Sequence, residues 1–171
     1  MRVILLALTA VLVSLSPAWA DPTGEWLVAG GSARIKIDDC GGRMWGIVSW
    51  AQQHSLDVNN PDPAKRSRST LGMPIILGMQ PVQSNRWEGE IYNAQNGKTY
   101  SGSITLTSPD VLRIEGCVLG FLCGGQSWAR VKAEPRAAAS PSARRPANTA
   151  SEVCSAVTVG TTGSAHQRRL K

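Results

Sequence analysis

The strongest constraint in this 171-residue chain is a rhythm. Between residues 24 and 131, short runs of alternating apolar and polar residues are cut at regular intervals by turn-forming pairs. No stretch there sustains the 3.6-residue period of a helix. The runs are Gly24–Ala29, Ala33–Asp38, Arg43–Trp50, Pro74–Met79, Arg86–Tyr92, Lys98–Leu106, Val111–Cys117 and Gln126–Val131. Between them stand Gly30-Gly31, Gly41-Gly42, Asn96-Gly97 and Ser108-Pro109-Asp110. Eight strands at such spacing predict an all-β fold, either a closed antiparallel barrel or a sandwich.

One pairing can be set from the letters. If Asn96-Gly97 is a two-residue type I′ turn, Ile91 faces Gly102, Gly89 faces Ile104 and Trp87 faces Leu106. On the other face Tyr92, Glu90 and Glu88 then meet Ser101, Ser103 and Thr105. Apolar meets apolar, and a one-residue slip destroys the segregation.

Two regions break the rhythm. Residues 51–73 form a long polar connection, with a helical turn expected after Asp62-Pro63 because Pro suits a helix start. Connections of that length are usually functional or disordered. Beyond Val131 the composition shifts to Ala, Ser, Pro and Arg, so residues 132–171 are expected to be a disordered tail.

The charge follows the same division. The chain carries +6, of which residues 1–20 hold +1, residues 132–171 hold +5, and residues 21–131 hold ten charges of each sign. A neutral central region argues against nucleic-acid binding, which needs a clustered cationic surface. Composition likewise excludes a collagen-like chain, a coiled coil and a polytopic membrane protein. At the start, Arg2 precedes an apolar run from Val3 to Leu15, broken only by Thr9 and Ser14. Pro17-Ala18-Trp19-Ala20 follows with small residues at A-x-A spacing. The run is too short to span a bilayer and reads as an export signal cleaved after Ala20. The mature chain, in the periplasm or secreted, is then expected to hold no transmembrane segment. Export places Cys40, Cys117, Cys123 and Cys154 where disulfides persist. Cys117 and Cys123 flank a short loop that a disulfide can close, whereas Cys40 and Cys154 either pair or stay free.

Several motifs dissolve on inspection. Gly97-Lys98-Thr99 lacks the glycine five residues earlier that a phosphate loop needs, since Tyr92 stands there. Asp57, Asn59, Asn60 and Asp62 crowd oxygens, but a calcium loop opening at Asp57 needs Gly where Asp62 stands and Glu where Arg68 stands. Glu88 and Glu90 share a strand face opposite Ser and Thr, as on any solvated face. No G-x-S-x-G elbow accompanies His54. No metal site, cofactor or catalytic constellation is expected, and the chain does not read as an enzyme. Arg66 and Arg68, with Asp57 and Asn60, are candidates to meet a ligand at a barrel mouth. Arg144-Arg145 and Arg168-Arg169-Leu170-Lys171 could draw the tail to an anionic envelope surface.

Gly24-Glu25-Trp26 on the first run and Trp128-Ala129-Arg130 on the last resemble the calycin and lipocalin pattern. That resemblance implies an Arg130 guanidinium packed over Trp26, with Trp26, Trp128 and Arg130 closing one barrel end. Residues 21–131 as a whole resemble the bacterial domain of unknown function family 2147, small exported proteins with a lipocalin-like barrel. The resemblance runs through Asp38-Asp39-Cys40-Gly41-Gly42, Asn60-Pro61-Asp62-Pro63, Arg66-Ser67-Arg68 and Gly72-Met73-Pro74-Ile75-Ile76-Leu77-Gly78. It continues through Trp87-Glu88-Gly89-Glu90-Ile91-Tyr92-Asn93, Asn96-Gly97-Lys98-Thr99-Tyr100 and Gly116-Cys117-Val118-Leu119-Gly120. It implies an eight-stranded antiparallel barrel over residues 21–131 and no established activity. Members with this cysteine pattern typically carry a Cys where Trp45 stands here, so Cys40 lacks the partner the resemblance implies.

A small barrel can enclose one apolar or amphipathic ligand. Strand alternation nominates Trp87, Ile91, Ile104 and Leu106 for its interior, with either Trp45 and Ile47 or Val48 and Trp50. The alternative is a filled barrel acting as a structural or interaction protein of the cell envelope.

Overall fold

The alternating runs form eight antiparallel strands, each paired with its sequence neighbours, and the last returns to the first to close a barrel. The computed structural model describes residues 20–119, 121–132 and 151–158. The strands are β1 (Gly24–Leu27), β2 (Ala33–Asp39), β3 (Met44–Ala51), β4 (Pro74–Gln83), β5 (Arg86–Asn93), β6 (Lys98–Ser108), β7 (Val111–Val118) and β8 (Leu122–Arg130). This is the lipocalin-like barrel expected. Up-and-down order puts the 28–32, 52–73, 94–97 and 119–121 connections at one end, the upper end here. The 40–43, 84–85 and 109–110 connections lie at the lower end.

Every strand sends at least one side chain into a single core of Trp26, Ile35, Ile37, Val48, Ile76, Met79, Trp87, Ile104, Leu112, Ile114 and Trp128. Closure is lopsided. β7 and β8 pair over eight residues from Val111↔Ala129 to Val118↔Leu122, whereas β1 and β8 pair only at Trp26↔Arg130 and Leu27↔Ala129. The upper half of β8 therefore has a free edge beside the barrel wall.

The β5–β6 register differs from the two-residue turn expected. Trp87 pairs with Ile104, Gly89 with Gly102, Ile91 with Tyr100 and Asn93 with Lys98, a slip of two residues. Four residues, 94–97, make the turn: Gly97 donates to the Asn93 carbonyl (2.8 Å) and takes φ +68. The Asn96 carboxamide accepts from Lys98 N (3.1 Å) and donates to Tyr100 Oη (2.8 Å). A two-residue slip keeps every side chain on its face, so alternation alone does not distinguish the registers.

A second correction concerns β3. Gly46 pairs with Ile37 and Val48 with Ile35, both inward, so Trp45 and Ile47 point outward. A bulge between Arg34 and Ile35 then leaves Ser49 unpaired, and Trp50 pairs with outward-facing Arg34. Trp50 is 41% exposed and stacks under the Arg34 guanidinium at 5.3 Å, so of the two nominated pairs only Val48 faces the interior.

The region expected to be a disordered tail contains structure. Residues 152–158 form helix α1, opened by Ser151, whose carbonyl accepts from Ser155 N and whose hydroxyl accepts from Cys154 N. Cys154 is disulfide-bonded to Cys40 in the lower β2–β3 connection, and Glu152 reaches Lys36 (3.5 Å). Lys36 is the cross-strand partner of Ile47 on the barrel's outer face. Ile47 and Val153 are both almost completely buried, although neither belongs to the interior cluster. The covalent link and the burial of Val153 offset the poor helix-forming composition around it. The rest of the tail and the expected export signal lie outside the described residues.

Candidate functional site

The lower barrel is filled by Trp26, Met79, Trp87, Ile104 and Leu112, all at most 3% exposed. Above this plug a cavity of about 660 Å³ opens toward the upper end. Its apolar wall includes Ile35, Val48, Ile75, Ile91 and Ile114, and Trp128 lines it from β8. Polar groups come mainly from the rim, including Ser55, Thr70 and Gln126. Trp128 is 4% exposed, and its buried indole N–H has no hydrogen-bond partner among the described residues. Buried polar groups are normally paired, and Arg34 Nε is the other buried side-chain nitrogen without a partner among the described residues.

The 52–73 connection is held over the rim by one buried carboxylate. Asp57 is fully buried; Tyr92 Oη donates to its Oδ1 (2.6 Å), while Asn60 Nδ2 (2.7 Å) and Arg68 Nε and Nη2 (2.9 and 2.8 Å) donate to Oδ2. Its backbone N–H reaches the Arg68 carbonyl (3.0 Å), and Leu56 bridges to Ser69. Arg66 Nε donates to the Asn60 carbonyl (2.8 Å), and Asn59 ties the segment to the Gln95 carbonyl (2.8 Å). A Cβ at Gly97 would collide with the Asn59 carbonyl, so glycine there lets the β5–β6 turn seat against this loop. The expected turn after Asp62 is a 3-10 turn at Pro63–Lys65, with Asp62 accepting from Ala64 N.

Burial alone would push the Asp57 pKa up. The hydrogen bonds from Tyr92, Asn60 and Arg68, together with the Arg68 charge, outweigh it and hold the carboxyl below its ordinary value. The Tyr92 hydroxyl is pushed up by burial and by the anion it serves. Asp57 is thus an anchor charged at neutral pH whose oxygens are fully engaged.

The lower end is closed as the G-x-W resemblance implies. The Arg130 guanidinium lies 4.1 Å above the Trp26 ring and donates to the carbonyls of Pro109, Thr23 and Asp21. Trp26 Nε1 donates to Pro22 O (2.9 Å). Gly24, at φ +118, leaves space that Arg130 fills: a Cβ there would lie 2.9 Å from Nη1. A second depression of about 560 Å³ at this end is lined partly by Ala20, which precedes the expected cleavage point.

The nominated residues therefore divide. Ile91 lines the cavity; Trp87 and Ile104 sit in the plug beneath it; Leu106 borders the lower depression. Trp45, Ile47 and Trp50 are on the outer face. Asp57, Asn60, Arg66 and Arg68 shape the rim without lining the cavity, each engaged by protein partners. Trp128, nominated for end closure, lines the cavity, and the closure is made by Arg130 over Trp26. Cys117 and Cys123 are bonded, and the cysteines left open, Cys40 and Cys154, pair with each other. Sequence reasoning missed Ser55, Thr70 and Gln126; nothing in their spacing marks them. Met73 and Ile75 stand in the Gly72–Gly78 segment that carries the family resemblance, which does not mark them as cavity residues. Among the described residues no cluster of His, Cys, Asp or Glu could hold a metal ion, and no helix is long and apolar enough to cross a membrane.

A family model described as an uncharacterized protein conserved in bacteria (DUF2147) matches residues 24–130. No curated protein matches the chain. Among solved structures, the fold is similar to that of protein HP1028 from Helicobacter pylori, which is described as belonging to the lipocalin family. The two share 19% identity at a TM-score of 0.60, over 66% of this chain and 84% of that one.

Proposed function

The chain belongs to the bacterial DUF2147 family, and from that premise we propose that it is an exported, non-enzymatic barrel that binds one small amphipathic ligand. The carrying observation is the half-filled interior. Its lower half is filled by buried side chains, while its upper half opens into about 660 Å³ of space with an aliphatic wall and a polar rim. That volume is within the range of small-molecule sites. A ligand with an apolar body suits this wall, and the polar rim suits a head group at the cavity mouth. The filled-barrel alternative accounts for the plug but leaves the space above it unexplained.

Asp57 and Tyr92, the groups with the clearest pKa shifts, are locked to each other and to Arg68. This arrangement stabilises the rim and offers no free acid or base, which supports binding over catalysis. Two disulfides suit an oxidising compartment and support export.

Titration with cis-parinaric acid, a fluorescent fatty acid, tests the site. Ala51 lines the cavity at the upper end of β3. Saturable one-to-one binding is expected, and Ala51→Trp should weaken it at least about tenfold. Absence of binding by the wild type, or equal affinity in a folded Ala51→Trp protein, overturns the proposal.

A further inference from the structure

The barrel's exposed apolar surface is polarised. The described residues expose nine large apolar side chains, and eight of them lie at the upper end: Trp50, Leu56, Val58, Leu71, Val118, Leu119, Phe121 and Leu122. Val82 alone lies elsewhere. The most extreme are consecutive around the β7–β8 tip, where Leu119 is 79% exposed, Phe121 71% and Leu122 60%. Phe121 is the only phenylalanine in the chain. Leu119 adopts φ +55, the only positive φ at a non-glycine among the described residues, a conformation unfavourable for a branched side chain. The Cys117–Cys123 disulfide staples the strands just below this tip. Residues 122–127 of β8 are exposed on both faces, whereas β7 stays paired to β6 up to Ser101↔Cys117, so the tip beyond Cys117 is what projects.

Charge is polarised with it. Exposed Lys65, Arg66 and Lys98 lie at the upper end, where the carboxylates are Asp57, buried against Arg68, and Asp62, paired with Lys65. Asp21, Asp38, Asp39, Glu88 and Asp110 all belong to the lower half, among Arg43, Arg86, Arg130 and Lys132. The upper end thus pairs an apolar prow with Arg66 and Lys98, while exposed Glu90 stands lower on the barrel wall, in the upper half of β5.

We propose that the upper end docks on a lipid bilayer carrying anionic headgroups, with Leu119, Phe121 and Leu122 inserted among the acyl chains and Arg66 and Lys98 at headgroup level. Apolar insertion combined with cationic attraction is the chemistry of reversible interfacial binding. A projecting tip of three large side chains fits a deformable bilayer, whereas a protein partner of standard size needs a broader, flatter patch. Docking by this end also presents the cavity mouth and the free β8 edge to the membrane. The inference stands on the exposed surface and does not depend on occupancy of the cavity.

Co-sedimentation of the oxidised mature chain with vesicles provides the test. Binding is expected to phosphatidylethanolamine–phosphatidylglycerol vesicles, to fall with added salt, and to drop at least about tenfold for the double variant Leu119→Asp, Phe121→Asp. Both side chains are solvent-exposed, so the variant should keep the wild-type thermal midpoint and cis-parinaric acid binding. A wild type left in the supernatant, or a folded double variant that sediments equally well, overturns the proposal. So does a wild-type dimer that this variant converts to monomer, which would make a second copy the partner.

Discussion

Asp57 shows how one side chain converts a 22-residue connection into a fixed rim. Four donor atoms from three residues converge on its two oxygens, and its backbone joins the same partner, Arg68. Asp57→Asn exchanges an acceptor for a donor opposite Arg68 and Asn60, and unfolding in urea should show a loss of about 2–4 kcal/mol at pH 7. The sign of its pH dependence follows from the depressed pKa. The folded state holds its proton less tightly than the unfolded chain, so the stabilisation is complete above the ordinary carboxylate pKa near about 4. It is lost as pH falls through the lower folded value. The gap between wild type and Asp57→Asn should therefore narrow below about pH 4, and a gap independent of pH contradicts the account. The sequence displays the oxygen-rich cluster but not its partner Tyr92, 35 residues away. Residues that look available for a ligand are for that reason consumed by the fold. Trp50 is misread for a comparable reason: one bulge opposite Arg34 reverses its face, and alternation carries no mark of a bulge.

Among the elements, strand existence was legible and pairing was less so. All eight runs became strands because each alternates apolar with polar residues between turn formers. The β5–β6 register slipped by two because the Asn96-Gly97 signal belongs to the end of a four-residue turn. Helix α1 was invisible because its stabilisation is tertiary: a bond to Cys40 and the burial of Val153. The sequence separation across that bond is 114 residues, and closing so long a loop restricts the unfolded chain strongly. Cys154→Ser should therefore lower stability by about 2–4 kcal/mol in denaturant unfolding, and should expose Ile47 together with Val153. A variant as stable as the wild type would show that α1 contributes nothing to the folded barrel.

For the whole molecule, the decisive property is uneven filling of a neutral barrel. Its tryptophans have separate tasks: Trp26 closes the lower end under Arg130, Trp87 packs the plug, Trp128 faces the cavity, and Trp45 and Trp50 lie outside. The sequence conveyed the barrel, its closed end and one disulfide. It could not convey how much of the interior is left open, because volume depends on register and bulges that alternation does not encode. Native mass spectrometry of the protein recovered gently from its own cells measures that property directly. We predict the mass of a chain beginning at Asp21 with two disulfides, together with a second species heavier by one lipid-sized molecule that Ala51→Trp removes. A chain recovered only at its own mass, with no such adduct, would contradict the ligand-binding account.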